Sequence, residues 1–131
     1  MLDKPDENIK VHFDEAREFI NKAREAKGRV LVHCFAGKSR ASTITISYMM
    51  GEMGKNLKES YEHLKKCRPI AQPNIGFVLQ LMGYEKQLFG VNSSIEQMKA
   101  AAMEAEKKKL TSEQKELSDA KEILKEEKQE D

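Results

Sequence analysis

Cys34 and Arg40 stand with five residues between them, Phe35-Ala36-Gly37-Lys38-Ser39, and they follow the short β-branched run Val30-Leu31-Val32. Strand, cysteine, glycine-bearing loop and an arginine opening an apolar helix is an order with a chemical rationale. A chain that leaves a strand, turns tightly and enters a helix aims successive backbone N–H groups at one point, which makes an anion nest. The positive end of the helix macrodipole adds to that field. The same donors favour a thiolate: a free cysteine has a pKa near about 8.5, and helix N-termini or cations lower it by several units. The spacing therefore predicts that Cys34 is ionised near neutral pH without a dedicated base. Arg40 offers a planar fork that grips two oxygens of a tetrahedral anion, which a lysine cannot imitate. Gly37 allows the backbone to curl round that anion without a side-chain clash. The chemistry this order suits is a reactive thiolate beside a phosphate held by the loop and Arg40. A lone cysteine is more often a small core side chain, but here every part of the loop occurs in the required order.

The elements that must carry this loop are legible on either side of it. Ile9, Phe13, Ala16, Ile20 and Ala23 recur at helical spacing, so a helix is expected over about residues 9 to 26, ending at Gly28. Val30 to Val32 is expected as one buried strand. From Arg40 to Met53 nearly every residue is apolar or small, which predicts a helix buried on most sides and stopped by Gly54. Asn56 with Glu59 is a capping-box start for a third helix with Leu57, Tyr61 and Leu64 inside, ended by Arg68-Pro69. Gln72-Pro73-Asn74 opens a fourth, with Phe77, Leu81, Tyr84 and Leu88 on one stripe.

Beyond Gly90 the character changes. Ser93 with Glu96 is another capping box, and a charged stretch without Pro or Gly runs to Asp131. Met103, Leu110, Leu117 and Leu124 fall seven apart, but only half of a coiled-coil seam is present. A solvated helix or partly disordered tail is the expectation, with contact to a partner helix as the alternative. The division expected is a catalytic portion over 1–90 and a tail over 91–131.

Hydrophobic residues make up 39% of the 131 and charged residues 34%, polar for a globular enzyme and consistent with a tail that packs little core. Residues 91–131 hold eight Lys and eleven acids, a net of −3; residues 1–90 hold fifteen Lys or Arg and eleven acids, a net of +4. A mildly basic front suits an anionic substrate. No apolar run reaches the roughly 18 to 20 residues that cross a bilayer, and the N-terminus lacks a basic-then-apolar leader. Two cysteines make no disulfide framework and have no zinc-ligand spacing. The expectation is a soluble intracellular protein, cytoplasmic with the nucleus as a second compartment, with no membrane or nucleic-acid partner.

His33-Cys34, five residues and Arg40 resemble the signature of the cysteine-dependent phosphatases, and Ser39 before the arginine resembles the dual-specificity branch. The resemblance extends through Phe13 to Ile20, Gly28 to Val32, Ile46 to Met49, Arg68-Pro69 and Pro73 to Phe77 with Gln80-Leu81, covering essentially residues 1 to 90. It implies an α/β fold of which this chain carries the C-terminal part, one catalytic strand plus helices with most of the sheet missing. A lone strand cannot satisfy its own backbone groups, so a marginally stable remnant is expected. The resemblance also implies Cys34 as nucleophile, Arg40 as phosphate clamp, and residues Phe35, Ala36, Gly37, Lys38 and Ser39 as the phosphate cradle. His33 and Asn74 are implied as loop supports; a partly buried structural histidine and a plain helix cap are the competing readings. The general acid falls at Asp3, with Asp6 and Glu7 close by.

The implied reaction is hydrolysis of phosphotyrosine and phosphoserine or phosphothreonine on a protein substrate, through a phosphocysteine, without metal or organic cofactor. One departure bears on it: Ala41 stands where the family carries a hydroxyl that helps phosphocysteine break down. That favours a phosphate-binding scaffold as the alternative, while Lys38 raises a phosphoinositide as a second alternative, against which Phe35 stands where a second lysine would be. Cys67 is read as a packing residue, and His12 and His63 as ordinary helix residues.

Overall fold

The computed structural model describes residues 2–34, 38–93 and 95–129. A 3-10 turn, Ile9–His12, leads into α1 (Phe13–Glu25); α2 (Arg40–Met53), α3 (Leu57–Cys67), α4 (Ile75–Phe89) and α5 (Glu96–Gln129) follow. The apolar periodicities account for these elements closely. Asn56 caps α3 by accepting from the Glu59 N–H at 2.8 Å, and Asn74 caps α4 by accepting from the Phe77 N–H at 2.9 Å, each satisfying a donor the helix itself cannot. Gly54 and Gly90 stop α2 and α4 at φ of 69° and 79°, a conformation that costs glycine nothing. At the end of α1 the left-handed residue is Lys27, at φ 56°. Gly28 closes that turn by donating to the Ala23 carbonyl at 2.8 Å.

One core joins the helices. Ile9, Phe13, Ile46, Met50, Leu57, Phe77, Val78 and Leu81 are buried within it, and Phe13 meets Tyr84 edge to face at 5.0 Å. Leu88, expected on the inner stripe of α4, is 37% exposed instead. The nearly all-round burial of α2 includes Ser42, Thr43 and Ser47. Thr43 and Ser47 turn their hydroxyls back onto the Ser39 and Ile44 carbonyls at 2.7 Å, so these polar groups reach the interior already paired. Ile95, Met98 and Ala102 carry the core past Gly90: the start of α5 docks against α4. Further on, Met103, Leu110, Leu117 and Leu124 all face solvent.

The expected strand at Val30–Val32 is not formed, and no strand occurs among the described residues. The described chain is therefore helical rather than α/β. The physical reason is that a strand is a relation between two segments: without a neighbour to exchange N–H···O=C bonds, a β-branched run has no ladder to join. Leu31 is 82% exposed, and Val30 to His33 instead rim an apolar groove of about 410 Å³ with Phe19, Ile20 and Ile44. No helix among the described residues is long and apolar enough to cross a membrane.

Two features missed by the periodicity hold the helices in register. Glu85 is buried, yet its carboxylate accepts from the Leu57 N–H at 2.6 Å, the Ser93 N–H at 2.9 Å, the Ser93 hydroxyl at 2.7 Å and the Asn92 amide at 3.3 Å. Burial works against its charge, but the hydrogen bonds from Ser93, Leu57 and Asn92 outweigh it and hold the carboxyl below its ordinary range. Ser93 is thereby engaged with Glu85, not with the start of α5. At the other end, a Cβ on Gly76 would overlap the Pro5 backbone, so glycine is what lets the N-terminal segment lie directly on α4.

Candidate active site

The site forms where α2 begins. Ser39 precedes α2 and makes no side-chain cap to it, so its hydroxyl does not occupy the first-turn N–H groups. The Ala41 N–H reaches Cys34 Sγ at 3.5 Å, which brings the sulfur to the positive end of a well-buried helix. Cys34 is half-buried, and Arg40 is half-buried at the first position of α2. Phe35, Ala36 and Gly37, the middle of the expected cradle, lie outside the described residues.

The loop is braced from the segment before α4. Ser39, 4% exposed, accepts the Asn74 N–H on its hydroxyl at 3.0 Å, and the Lys38 carbonyl accepts the Gln72 N–H at 2.6 Å. Gln72 is itself fixed, accepting from the Tyr61 hydroxyl at 2.9 Å. Asn74 thus caps α4 and supports the loop at once. Its amide also donates to Asp3 Oδ1 at 3.0 Å. That bond joins residues far apart in the chain and brings Asp3 to the rim of the loop. The bond from Lys10 N to Gln80 Oε1 at 3.0 Å and the return from Gln80 Nε2 to the Glu7 carbonyl at 2.8 Å hold the same N-terminal segment to α4. Among the acids weighed from the sequence, Asp3 lines the cleft beside Lys38 and Ser39; Asp6 and Glu7 do not line it.

His33 is exposed rather than partly buried. Cys67 is exposed too, its Sγ 3.9 Å from His63 Nε2, so a packing role is not what this position provides. Gln72 and Lys65 join the site without a sequence motif that marks them. In the sequence Gln72 reads only as part of a helix opener, and the signal for its role lies in its adjacency to Pro73-Asn74. Lys65 lines the cleft, donates to the Pro69 carbonyl at 3.0 Å and lies 5.7 Å from the Tyr61 ring centre. Partial burial lowers its pKa, and the nearby Lys38 adds to the effect. Two ammonium groups close enough to repel leave a positive field beside the loop, suited to an anion.

Residues 1–87 match the family model of the dual specificity phosphatase catalytic domain. The chain is 46% identical over 86 residues to dual specificity protein phosphatase 1 of Arabidopsis thaliana, covering 66% of this chain and 43% of that protein. It is 49% identical over 79 residues to dual specificity protein phosphatase 15 of Mus musculus, covering 60% and 34%. The chain thus spans less than half the length of these relatives. Among solved structures it resembles human DUSP28, at TM-score 0.66 and 33% identity over 67% of this chain and 60% of that one. It also resembles the human tyrosine phosphatase-like serine/threonine/tyrosine-interacting protein, at TM-score 0.64 and 37% identity over 66% and 57%. On the match across residues 1–87, the chain belongs to the dual specificity phosphatase family.

Proposed function

We propose that the chain hydrolyses phosphate monoesters on tyrosine and on serine or threonine of a protein substrate. Cys34 Sγ attacks phosphorus in line as the bond from phosphorus to the leaving oxygen breaks; Asp3 delivers its proton to that oxygen. The Arg40 fork and the loop N–H groups hold the equatorial oxygens, where charge is spread in the transition state. Water then attacks the phosphocysteine, giving a proton to the Asp3 carboxylate, and inorganic phosphate leaves as the Cys34 thiolate is regenerated. The observation that carries this reading is the Ala41 N–H at 3.5 Å from Cys34 Sγ, a donor on a helix N-terminus aimed at the nucleophile. Steady-state hydrolysis of para-nitrophenyl phosphate tests it: the wild-type chain turns over, Cys34→Ser does not, and equal background rates in both would refute it.

A phosphate-binding scaffold is the second reading, and Ala41 favours it. Its side chain is a buried methyl, so no hydroxyl is offered at the position next to Arg40 to assist departure of the thiolate. Ser39 Oγ accepts from the Asn74 N–H and keeps its own proton to donate, which supports some turnover without the missing hydroxyl. The phosphoinositide alternative rests on Lys38, with Lys65 as a second cation on the same cleft.

A further inference from the structure

The cleft beside the catalytic loop measures about 740 Å³, several times what a phosphate group occupies, and one of its walls comes from outside the shared family portion. The family match ends at residue 87, whereas α5 begins at Glu96 and lines this cleft from Ala101 to Lys109. We propose that residues 101–109 of α5 form the specificity wall of the substrate cleft, selecting phosphorylated peptides that carry an apolar side chain next to the phosphorylated residue. This rests on the phosphatase reading of the same site and adds to it a substrate class.

Three observations point this way. Lys38 and Ser39 of the catalytic loop line the same cleft as Ala101 and Ala105, so the helix stands beside the end of the loop that leads into Arg40. Ala101 and Ala105 are four residues apart and share one helix face, and their small side chains leave an open slot opposite Pro69 and Ile70. Ile70 is 55% exposed, a large apolar surface turned to the cleft and available to cover a substrate side chain. Charge on the wall is largely self-compensated, with Glu104 and Lys108 paired at 3.6 Å, so the helix offers no single sign with which to select acidic or basic neighbours. The wall is also anchored: Ile95, Met98 and Ala102 are buried in the core, which fixes the helix just before the slot and within it and supplies a rigid surface.

The test uses the full chain and two phosphotyrosyl hexapeptides differing only in Leu or Ser beside the phosphotyrosine, with para-nitrophenyl phosphate as the reference. The wild type prefers the Leu peptide by about tenfold in kcat/KM, the scale of one apolar side chain in a pocket. Ala105→Trp, or Ala101→Leu if the tryptophan disturbs the helix, fills the slot and reduces that preference to near unity, chiefly through KM. Lys107→Trp, on the outer face of the same helix, retains it. Equal kcat/KM for the two peptides in the wild type, or the same response to Ala105→Trp and Lys107→Trp, overturns the proposal. If the wild type leaves para-nitrophenyl phosphate intact, the hydrolase reading alone falls. The preference is then read as binding of the two peptides to the Cys34→Ser chain by fluorescence anisotropy, where equal affinities overturn the wall.

Discussion

Replacing Glu85 with glutamine changes one atom and tests the buried junction of α3, α4 and the 91–95 connection. Both carboxylate oxygens face donors: Oε1 receives the Ser93 N–H and the Asn92 amide, Oε2 the Leu57 N–H and the Ser93 hydroxyl. A glutamine must turn its own NH2 toward one of these pairs. The cheaper orientation places it at Oε1, where Asn92 can swing to water but the Ser93 N–H is left without an acceptor. An orphaned buried donor costs about 1–3 kcal/mol, and loss of charge assistance at the other oxygen adds about 1 kcal/mol, so the expected loss is about 2–4 kcal/mol. For a chain of this size the midpoint of thermal unfolding should fall by roughly 10 °C. Urea denaturation at neutral pH, followed by circular dichroism, measures it. The pH dependence has a definite sign. The Glu85 carboxyl is held below its ordinary value of 4.5 in the folded state. Its contribution is therefore fully present above that value and is lost as pH falls through the lowered folded value. The gap between wild type and Glu85→Gln should accordingly narrow in acid. A difference below about 0.5 kcal/mol at neutral pH, the scale of an ordinary surface change, or a gap that does not vary with pH, refutes the reasoning.

Other perturbations separate the parts of the site. Iodoacetate should alkylate Cys34 below neutral pH and vanadate should protect it; labelling of Cys34 and exposed Cys67 at the same rate, unprotected, would count against a loop-held thiolate. With no hydroxyl at position 41, phosphocysteine breakdown should limit turnover, giving a burst of phenol that Ala41→Ser converts to a faster steady state; a linear course in the wild type speaks against this. Asn74→Ala removes the cap of α4 and the bond to Asp3 together, so about 1 kcal/mol of stability should be lost, with a larger fall in activity on poor leaving groups than on para-nitrophenyl phosphate. Gly76→Ala should displace the Pro5 segment, lowering stability by about 1–3 kcal/mol and reproducing that leaving-group dependence; an unchanged profile would separate Asp3 from the chemistry.

Much of this protein was legible in its sequence because the information is local. Helix periodicity in Ile9 to Ala23, Leu57 to Leu64 and Phe77 to Tyr84, with caps at Asn56 and Asn74 and stops at Gly54 and Gly90, reads from residues within a turn or two of one another. The spacing of Cys34 and Arg40 is local in the same sense, since one loop and one helix start hold both. The apolar spacing of Ile95, Met98 and Ala102 was there to be read as well, but the charge that dominates the rest of α5 masked it. What tertiary structure decided is what distant segments do to each other. Val30 to Val32 has the composition of a strand, but pairing belongs to two segments and cannot be read from one. Glu85 looks like a surface acid beside Tyr84 until Leu57 and Ser93 bring their N–H groups to it. Asp3 gains its place on the rim only through Asn74, and the wall of the cleft exists only because α5 leaves α4 in the direction of the loop. Local pattern specifies which segments become helices. Which polar group ends up beside which depends on burial, because only there does an unpaired donor or carboxylate cost enough to fix the partner.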